Sequence, residues 1–185
     1  MYLINENLVI RDATSNDAQI LCNWWNDGKV MAHAGFPLGL RTTPQEIVLE
    51  LTTDTDDKGR RLILEIDTVP VGEMSYRTKG EKIAEIGIKI CDFSKQEKGY
   101  GTLYIKMLIE SLFYTMGYEK IILDTNLNNT RAQHVYEKIG FKKVATNINS
   151  WTNQVGELQS SIDYELTKSE YHKTTKSINT PSNLD

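Results

Sequence analysis

One stretch limits the possible folds of this chain more than any other. It is a strand-like run from Ile83 to Ile90, a loop with Gln96-Glu97-Lys98-Gly99-Tyr100-Gly101-Thr102, and a helix-like segment to about Met116. Ile105, Leu108, Leu112, Phe113 and Met116 recur at helical spacing, so the last segment predicts an amphipathic helix with its apolar side in a core. Gly99 and Gly101 carry no Cβ to hold an anion away from the backbone. The helix that starts there leaves its first amides unpaired and points the positive end of its dipole at the loop. A phosphate-bearing ligand suits this unit, although a plain tight turn would use the same glycines. The loop lacks the glycine-lysine-serine/threonine ending of a Walker motif, and its glycine spacing departs from the dinucleotide fingerprint.

Around this unit the chain alternates strands and helices. Leu8 to Arg11 reads as a first strand, and Thr14 with Asp17 forms a capping box for a helix through Ala18, Leu21, Cys22 and Trp25. Gly28, Gly35, Pro37 and Gly39 then break regularity and suggest a flexible loop. Thr43-Pro44-Gln45-Glu46 is a second helix start, with Ile47, Val48 and Leu51 on the buried side. Strands are expected at Arg61 to Ile66 and Val71 to Tyr76, joined by a turn through Asp67, Thr68, Val69 and Pro70. Glu119 to Thr125 reads as a central strand, and Thr130 to Ile139 as a helix stopped by Gly140. Phe141 to Ile148 and Ser160 to Leu166 are the final strands. At 185 residues the chain fits one domain, expected over 1–171, with a fraying tail over 172–185. The mixed order favours an α/β fold of two or three layers.

Composition removes several function classes. The formal charge is -4, from 21 Lys plus Arg against 25 Asp plus Glu. That argues against a general phosphate-binding surface, so no direct nucleic-acid partner is expected. His33, His134 and His172 form no metal-ligand spacing with Cys22 or Cys91, and no metal is expected. Both cysteines sit in apolar surroundings and read as small buried hydrophobes. Met1 to Glu6 lacks a basic segment followed by an apolar one, and no run approaches the ~18 apolar residues of a membrane span. A cytoplasmic protein without a membrane partner is expected.

The sequence resembles the GNAT N-acetyltransferases at two central motifs. Gln96 through Gly101 matches the family's glutamine-or-arginine, two-residue spacer, glycine, one-residue spacer, glycine-or-alanine pattern. Asn129 followed by Tyr136-Glu137-Lys138-Ile139-Gly140-Phe141 matches a second signature at its usual spacing. Leu8 to Arg11 and Trp24-Trp25-Asn26-Asp27 look like the subgroup that contains ribosomal-protein N-acetyltransferases. The resemblance covers about Leu8 to Tyr171. It implies a mixed, mostly antiparallel central sheet flanked by helices, with two central strands splayed apart. It also implies acetyl-CoA as the cofactor, its pyrophosphate on Gln96, Glu97, Lys98, Gly99, Tyr100, Gly101 and Thr102. Asn129 would lie near the pantetheine arm, and backbone groups around Ile88 and Ile90 would bond the pantetheine or a developing oxyanion.

Amide formation from a thioester needs a neutral amine, a place for negative charge on the carbonyl oxygen, and a proton for the departing sulfur. A lysine-type amine has a free pKa of about 10.4, so its neutral form at pH 7 costs roughly 4.6 kcal/mol; an α-amine, at about 7.7–8.0, costs roughly 1 kcal/mol. Tyr136 is the candidate general acid, since a phenol can donate to sulfur and the matching family tyrosine commonly does so. Packing against Val135 and Ile139 would explain the same residue. Glu85 is the leading base, directly or through water, because alternation turns it away from the face of Ala84, Ile86 and Ile88. Acceptor recognition and cross-strand pairing are its other roles. Asp124 is a further acidic candidate beside a structural alternative.

Trp24, Trp25, His33 and Phe36 are candidate acceptor contacts, with 150–156 closing another side; Trp25 would also serve as a core anchor. The resemblance favours a protein N-terminal amine as acceptor, ahead of a small polyamine or an aminoglycoside-like amine. A non-catalytic acyl-CoA sensor is the competing class, and a homodimer is compatible with either.

Overall fold

Period-two patterning in the strands sorts their side chains onto two faces, and each face collects its own helices. The computed structural model describes residues 1–172. Its strands are β1 (Tyr2–Asn5), β2 (Leu8–Asp12), β3 (Gly59–Ile66), β4 (Val69–Gly80), β5 (Ile83–Ile90), β6 (Lys120–Asn126), β7 (Lys142–Thr152) and β8 (Leu158–Thr167). The helices are α1 (Ala18–Asn26), α2 (Gly28–Met31), α3 (Pro44–Leu51), α4 (Tyr100–Glu110) and α5 (Thr130–Ile139). The strands form one open sheet in the order β1-β2-β3-β4-β5-β6-β8-β7. Neighbours are antiparallel except β5 and β6, which run parallel.

On β3, Leu62 and Leu64 enter the main core with Tyr104, Ile105, Leu108 and Ile109 of α4 and Tyr136 and Ile139 of α5. Ile63, between them, points to the other face and packs with Leu21, Trp25, Met31 and Ile47 under α1, α2 and α3. The result is three layers: helices, sheet, helices. Each large aliphatic side chain so buried contributes roughly 1.5–3 kcal/mol.

Local signals set many boundaries. Thr43 accepts from Glu46 N, while Glu46 Oε2 accepts from Thr43 N at 2.8 Å, which closes the capping box before α3. Asp17 Oδ2 accepts from the backbone N and hydroxyl of Thr14, and a 3₁₀ turn, Ser15–Asp17, leads into α1. Gly140 ends α5 at φ 113, a left-handed value that favours glycine.

Several elements differ from expectation. A further edge strand, β1, pairs with β2 along its length. The turn after β3 contains only Asp67 and Thr68, both at positive φ, and Val69 and Pro70 already belong to β4. Five residues after α4, Ser111–Thr115, adopt π-helical bonding; Leu112 and Phe113 stay buried while Tyr114 faces out. The stretch expected as a flexible loop, from Gly28 to Gly39, instead begins with α2 and is packed rather than loose. A Cβ on Gly28 would overlap the Pro37 carbonyl, and one on Gly39 would overlap Asn26 O, so these glycines permit close approach. Residues 168–172 are helical and Tyr171 is buried in the main core, so His172, the first residue of the expected tail, ends a helix. The remainder of that tail, 173–185, lies outside the described residues. Among the described residues no helix is long and apolar enough to cross a membrane, and no cluster of His, Cys, Asp and Glu suits a metal.

Candidate active site

Pairing between β5 and β6 stops after three positions. Ile83, Ala84 and Glu85 face Lys120, Ile121 and Ile122, whereas β5 keeps its register with β4 through Ile90. Beyond Glu85 the two strands part, and the gap opens into a cavity of about 900 Å³. Alternation gives the gap its chemistry. Cys91 N bonds Val71 O on the β4 side, so the backbone groups of Lys89 and Gly87 also face β4, and those of Ile88 and Ile90 face the gap. Past Glu85 no β6 partner meets these groups, and apart from Ile90 O, which Gln96 occupies, they suit an amide-bearing chain.

At one end of the cavity the loop after β5 meets the mouth of α4. Gly99 takes φ 83 at the helix N-cap. A Cβ built on Gly99 or Gly101 meets nothing within 4 Å, so the backbone there is open to a ligand and first-turn amides are unshielded. Tyr100 and Thr102 line the same end; Lys98 does not. Gln96 bonds its own protein: Nε2 donates to Ile90 O at 2.7 Å, and Oε1 accepts from Arg131 at 3.0 Å. It braces the loop against β5 and α5. Asn129 caps α5 by accepting from Ala132 N at 3.3 Å and lines the cavity from the other wall.

Titratable groups gather at the opposite end. Glu85 lines the cavity and pairs with Lys79 at 3.0 Å. Asp124 of β6 stands opposite Asp163 of β8 in register. Partial desolvation, and then the charges of Glu85 and Asp163, raise the Asp124 carboxyl above the ordinary aspartate range although its side chain still meets solvent. Tyr136 also faces the cavity, with its ring edge-on to Phe141 and Tyr164 at 6.0 and 5.8 Å. It is 7% exposed. Burial, and then the Asp124 charge, push its phenol up well above the free value, so it stays protonated at neutral pH.

The expected acceptor contacts divide. His33 lines the cavity, as does Trp151 from the β7–β8 hairpin. Trp24, Trp25 and Phe36 lie off its wall. Trp25 is a core anchor, 5% exposed, with Arg61 stacked on its ring and Nε1 donating to Glu73 at 3.0 Å. Trp24 packs at the edge of the same cluster, and Phe36 is directed outward in the turn after α2. The hairpin docks through Gln154: its backbone N bonds Gly35 O at 2.8 Å, Oε1 accepts from Leu38 N at 2.9 Å, and Nε2 donates to Gly39 O at 2.8 Å. Arg131, Ser161 and Lys89 also reach the cavity and were not among the expected residues. The alternation Ser161-Ile162-Asp163-Tyr164 already marks a polar face on β8, but no local pattern says what that face meets. Both cysteines are buried and free, and burial pushes the Cys91 thiol up, away from reactivity.

A sheet splayed between two parallel neighbours, with an anion cradle at one end of the gap and carboxylates and a phenol at the other, is the GNAT architecture. Residues 7–142 match the family described as "Acetyltransferase (GNAT) domain", and the chain belongs to that family. The spermidine N-acetyltransferase from Vibrio cholerae, solved in complex with CoA and spermine, is similar with a TM-score of 0.81 and 21% identity, over 91% of this chain and 99% of that one. A GNAT-family acetyltransferase from Bacillus anthracis gives 0.76 and 22%, over 92% and 100%. A protein described as a probable acetyltransferase gives 0.77 and 23%, over 92% and 98%. At such identities the likeness is one of fold. The family match does not extend to the ribosomal-protein subgroup, which rests on the motifs near Leu8 and Trp24 alone.

Proposed function

We propose that this protein transfers acetyl from acetyl-CoA to a primary amine of a small polyamine. One observation carries the reading: the β5–β6 gap joins an unshielded glycine-bearing helix mouth to a pocket holding Glu85, Asp124 and Tyr136. Acetyl-CoA supplies the activated acyl group. The residues that would hold it are Gly99, Gly101 and Thr102 at its phosphates, with Ile88, Ile90 and Asn129 along its arm; the open Cβ positions fit that use.

The protein's own groups then divide the work. Glu85, directly or through water, accepts a proton from the ammonium so that the neutral amine faces the acyl carbon; Lys79 holds its carboxylate in place. Backbone N–H groups on the gap side of β5 offer hydrogen bonds to the carbonyl oxygen as charge collects there. Tyr136, kept protonated by its burial, donates to the departing sulfur. Asp124 adds negative charge to the wall, with Asp163 opposite it on β8, which favours an acceptor with a second ammonium group over a peptide with one α-amine. The Vibrio cholerae enzyme of the same fold, solved with spermine, supports the polyamine over the protein N-terminus.

The test is release of CoA thiol from acetyl-CoA across a panel of spermidine, spermine, an aminoglycoside and peptides with free N-termini. Polyamines are expected to exceed peptides in kcat/KM by about tenfold or more, the worth of one well-placed charge contact. Preference for a peptide terminus would overturn the acceptor. Binding of CoA with no thiol release on any amine would favour the sensor.

A further inference from the structure

Arg131 is the second residue of α5, and its guanidinium reaches over the mouth of the cavity. Nη1 donates to Gln96 Oε1 at 3.0 Å and to Glu97 Oε1 at 3.4 Å. Both acceptors belong to the loop before α4, so the arginine links the two walls of the β5–β6 gap where that gap opens to solvent. The pair with Glu97 is an exposed one. The Arg131 side chain is 51% accessible and that of Glu97 is 78%. Solvent and salt screen such a contact, and it contributes little to holding the walls together. Gln96 does not depend on it, because its amide is anchored on Ile90 O.

Glu97 has a second peculiarity. It sits at φ 60, a left-handed value that a glutamate adopts at a cost, two residues before Gly99 at φ 83. This turn sets a carboxylate beside amides that attract anions. An anion seated on the open backbone of Gly99 and Gly101 would stand near that carboxylate and compete with it for the same guanidinium.

We infer that Arg131 binds the phosphates of the acyl carrier, and that Glu97 is the internal anion holding its guanidinium in the free protein. Carrier binding exchanges one partner for the other. A guanidinium offers paired donors that match phosphate geometry, and a diphosphate carries more charge and more acceptor oxygens than the displaced carboxylate. The exchange rests on the reading that the cavity takes a CoA carrier, and no covalent step is involved.

The experiment is titration calorimetry of CoA into the wild-type protein, Arg131→Gln, Glu97→Gln and the double variant, at low and moderate salt. Thermal melts confirm that each variant is folded. Arg131→Gln is expected to weaken CoA binding about tenfold or more and to flatten its salt dependence. Glu97→Gln is expected to tighten binding, since the competing anion is gone, and to lose that gain when Arg131 is also replaced. If the pair were only a structural clasp, both single variants would weaken binding alike, and that result would overturn the exchange. So would an Arg131→Gln protein that binds CoA as the wild type does. A wild-type protein that takes up no CoA would instead remove the cofactor reading itself.

Discussion

Tyr136 occupies a position where packing and chemistry meet. Its ring belongs to the main core against Phe141 and Tyr164, while the phenol end borders the cavity. Tyr136→Phe keeps the packed ring and removes only the hydroxyl. The expected outcome is a kcat lower by about 10²–10⁴, the range for a positioned general acid, with CoA affinity changed less than about threefold. Turnover paired with calorimetry checks it, and equal losses in both would end the acid assignment. The sign of the phenol shift adds a second expectation. Because burial raises the pKa, the acid form outlasts an ordinary tyrosine, so kcat does not fall on account of this group before about pH 10. At this scale the sequence is informative where a residue type and its spacing carry the function. Tyr136 lies seven positions after Asn129, and Glu85 alternates out of an apolar run. Trp25 is different: it continues the apolar face of Ala18, Leu21 and Cys22 on α1, but its partner, Glu73, comes from the distant strand β4. Nothing near Trp25 in the chain announces that bond.

The stretch from Gly28 to Gly39, which opens with α2, shows what composition misses in an element. Four breaker residues suggest a flexible connection, yet the fold uses glycine there because two backbone stretches touch. Contacts far apart in sequence decide that, so a local reading cannot. Edge positions in the sheet fail for a similar reason. β5 and α5 match their expected bounds to the residue, while β4 runs on to Gly80 and β7 to Thr152, since partner strands extend the ladder past the hydrophobic pattern. The splay of β5 from β6 is equally non-local and was expected only from the family resemblance. Gln154 joins these elements by clasping Leu38 and Gly39, placing Trp151 and His33 on one side of the cavity. Gln154→Ala removes two neutral hydrogen bonds, each worth about 0.5–1.5 kcal/mol. It is expected to raise the acceptor KM several-fold and leave the acetyl-CoA KM unchanged, because the glycine loop and α5 are not involved. Steady-state kinetics with each substrate varied would show the split, and a rise in both constants would mean that the hairpin supports the whole cavity.

Across the whole molecule, Glu73 ties the layers together. It is a carboxylate with 1% of its side chain exposed, on the central strand β4. Arg61 of β3 reaches it at 2.9 Å, Lys89 of β5 at 3.1 Å, and Trp25 of α1 at 3.0 Å. Burial by itself would raise its pKa; the charges of Arg61 and Lys89, with the Trp25 bond, outweigh that and leave it below the ordinary glutamate value. A carboxyl whose folded pKa is depressed adds stability that is present above its unfolded value, near 4.5, and is lost as pH falls through the folded value. Denaturant midpoints measured from pH 7 downward should therefore hold steady to about pH 5 and then decline. Other paired carboxylates add to that decline, so the informative quantity is the difference from Glu73→Gln. That variant cannot ionise at this position and should show a shallower acid slope. At neutral pH it should be less stable by about 3 kcal/mol, the low end for breaking a buried pair, because Arg61 and Lys89 still reach some solvent. Since Lys89 lines the cavity and Trp25 anchors α1, the same variant should also lower acetyl transfer before it unfolds. Identical acid slopes in the two proteins would mean that the Glu73 pKa does not change on folding, and a steeper slope in the variant would mean that Glu73 is neutral when folded; under either result its role as the charged junction of sheet and helices would fall.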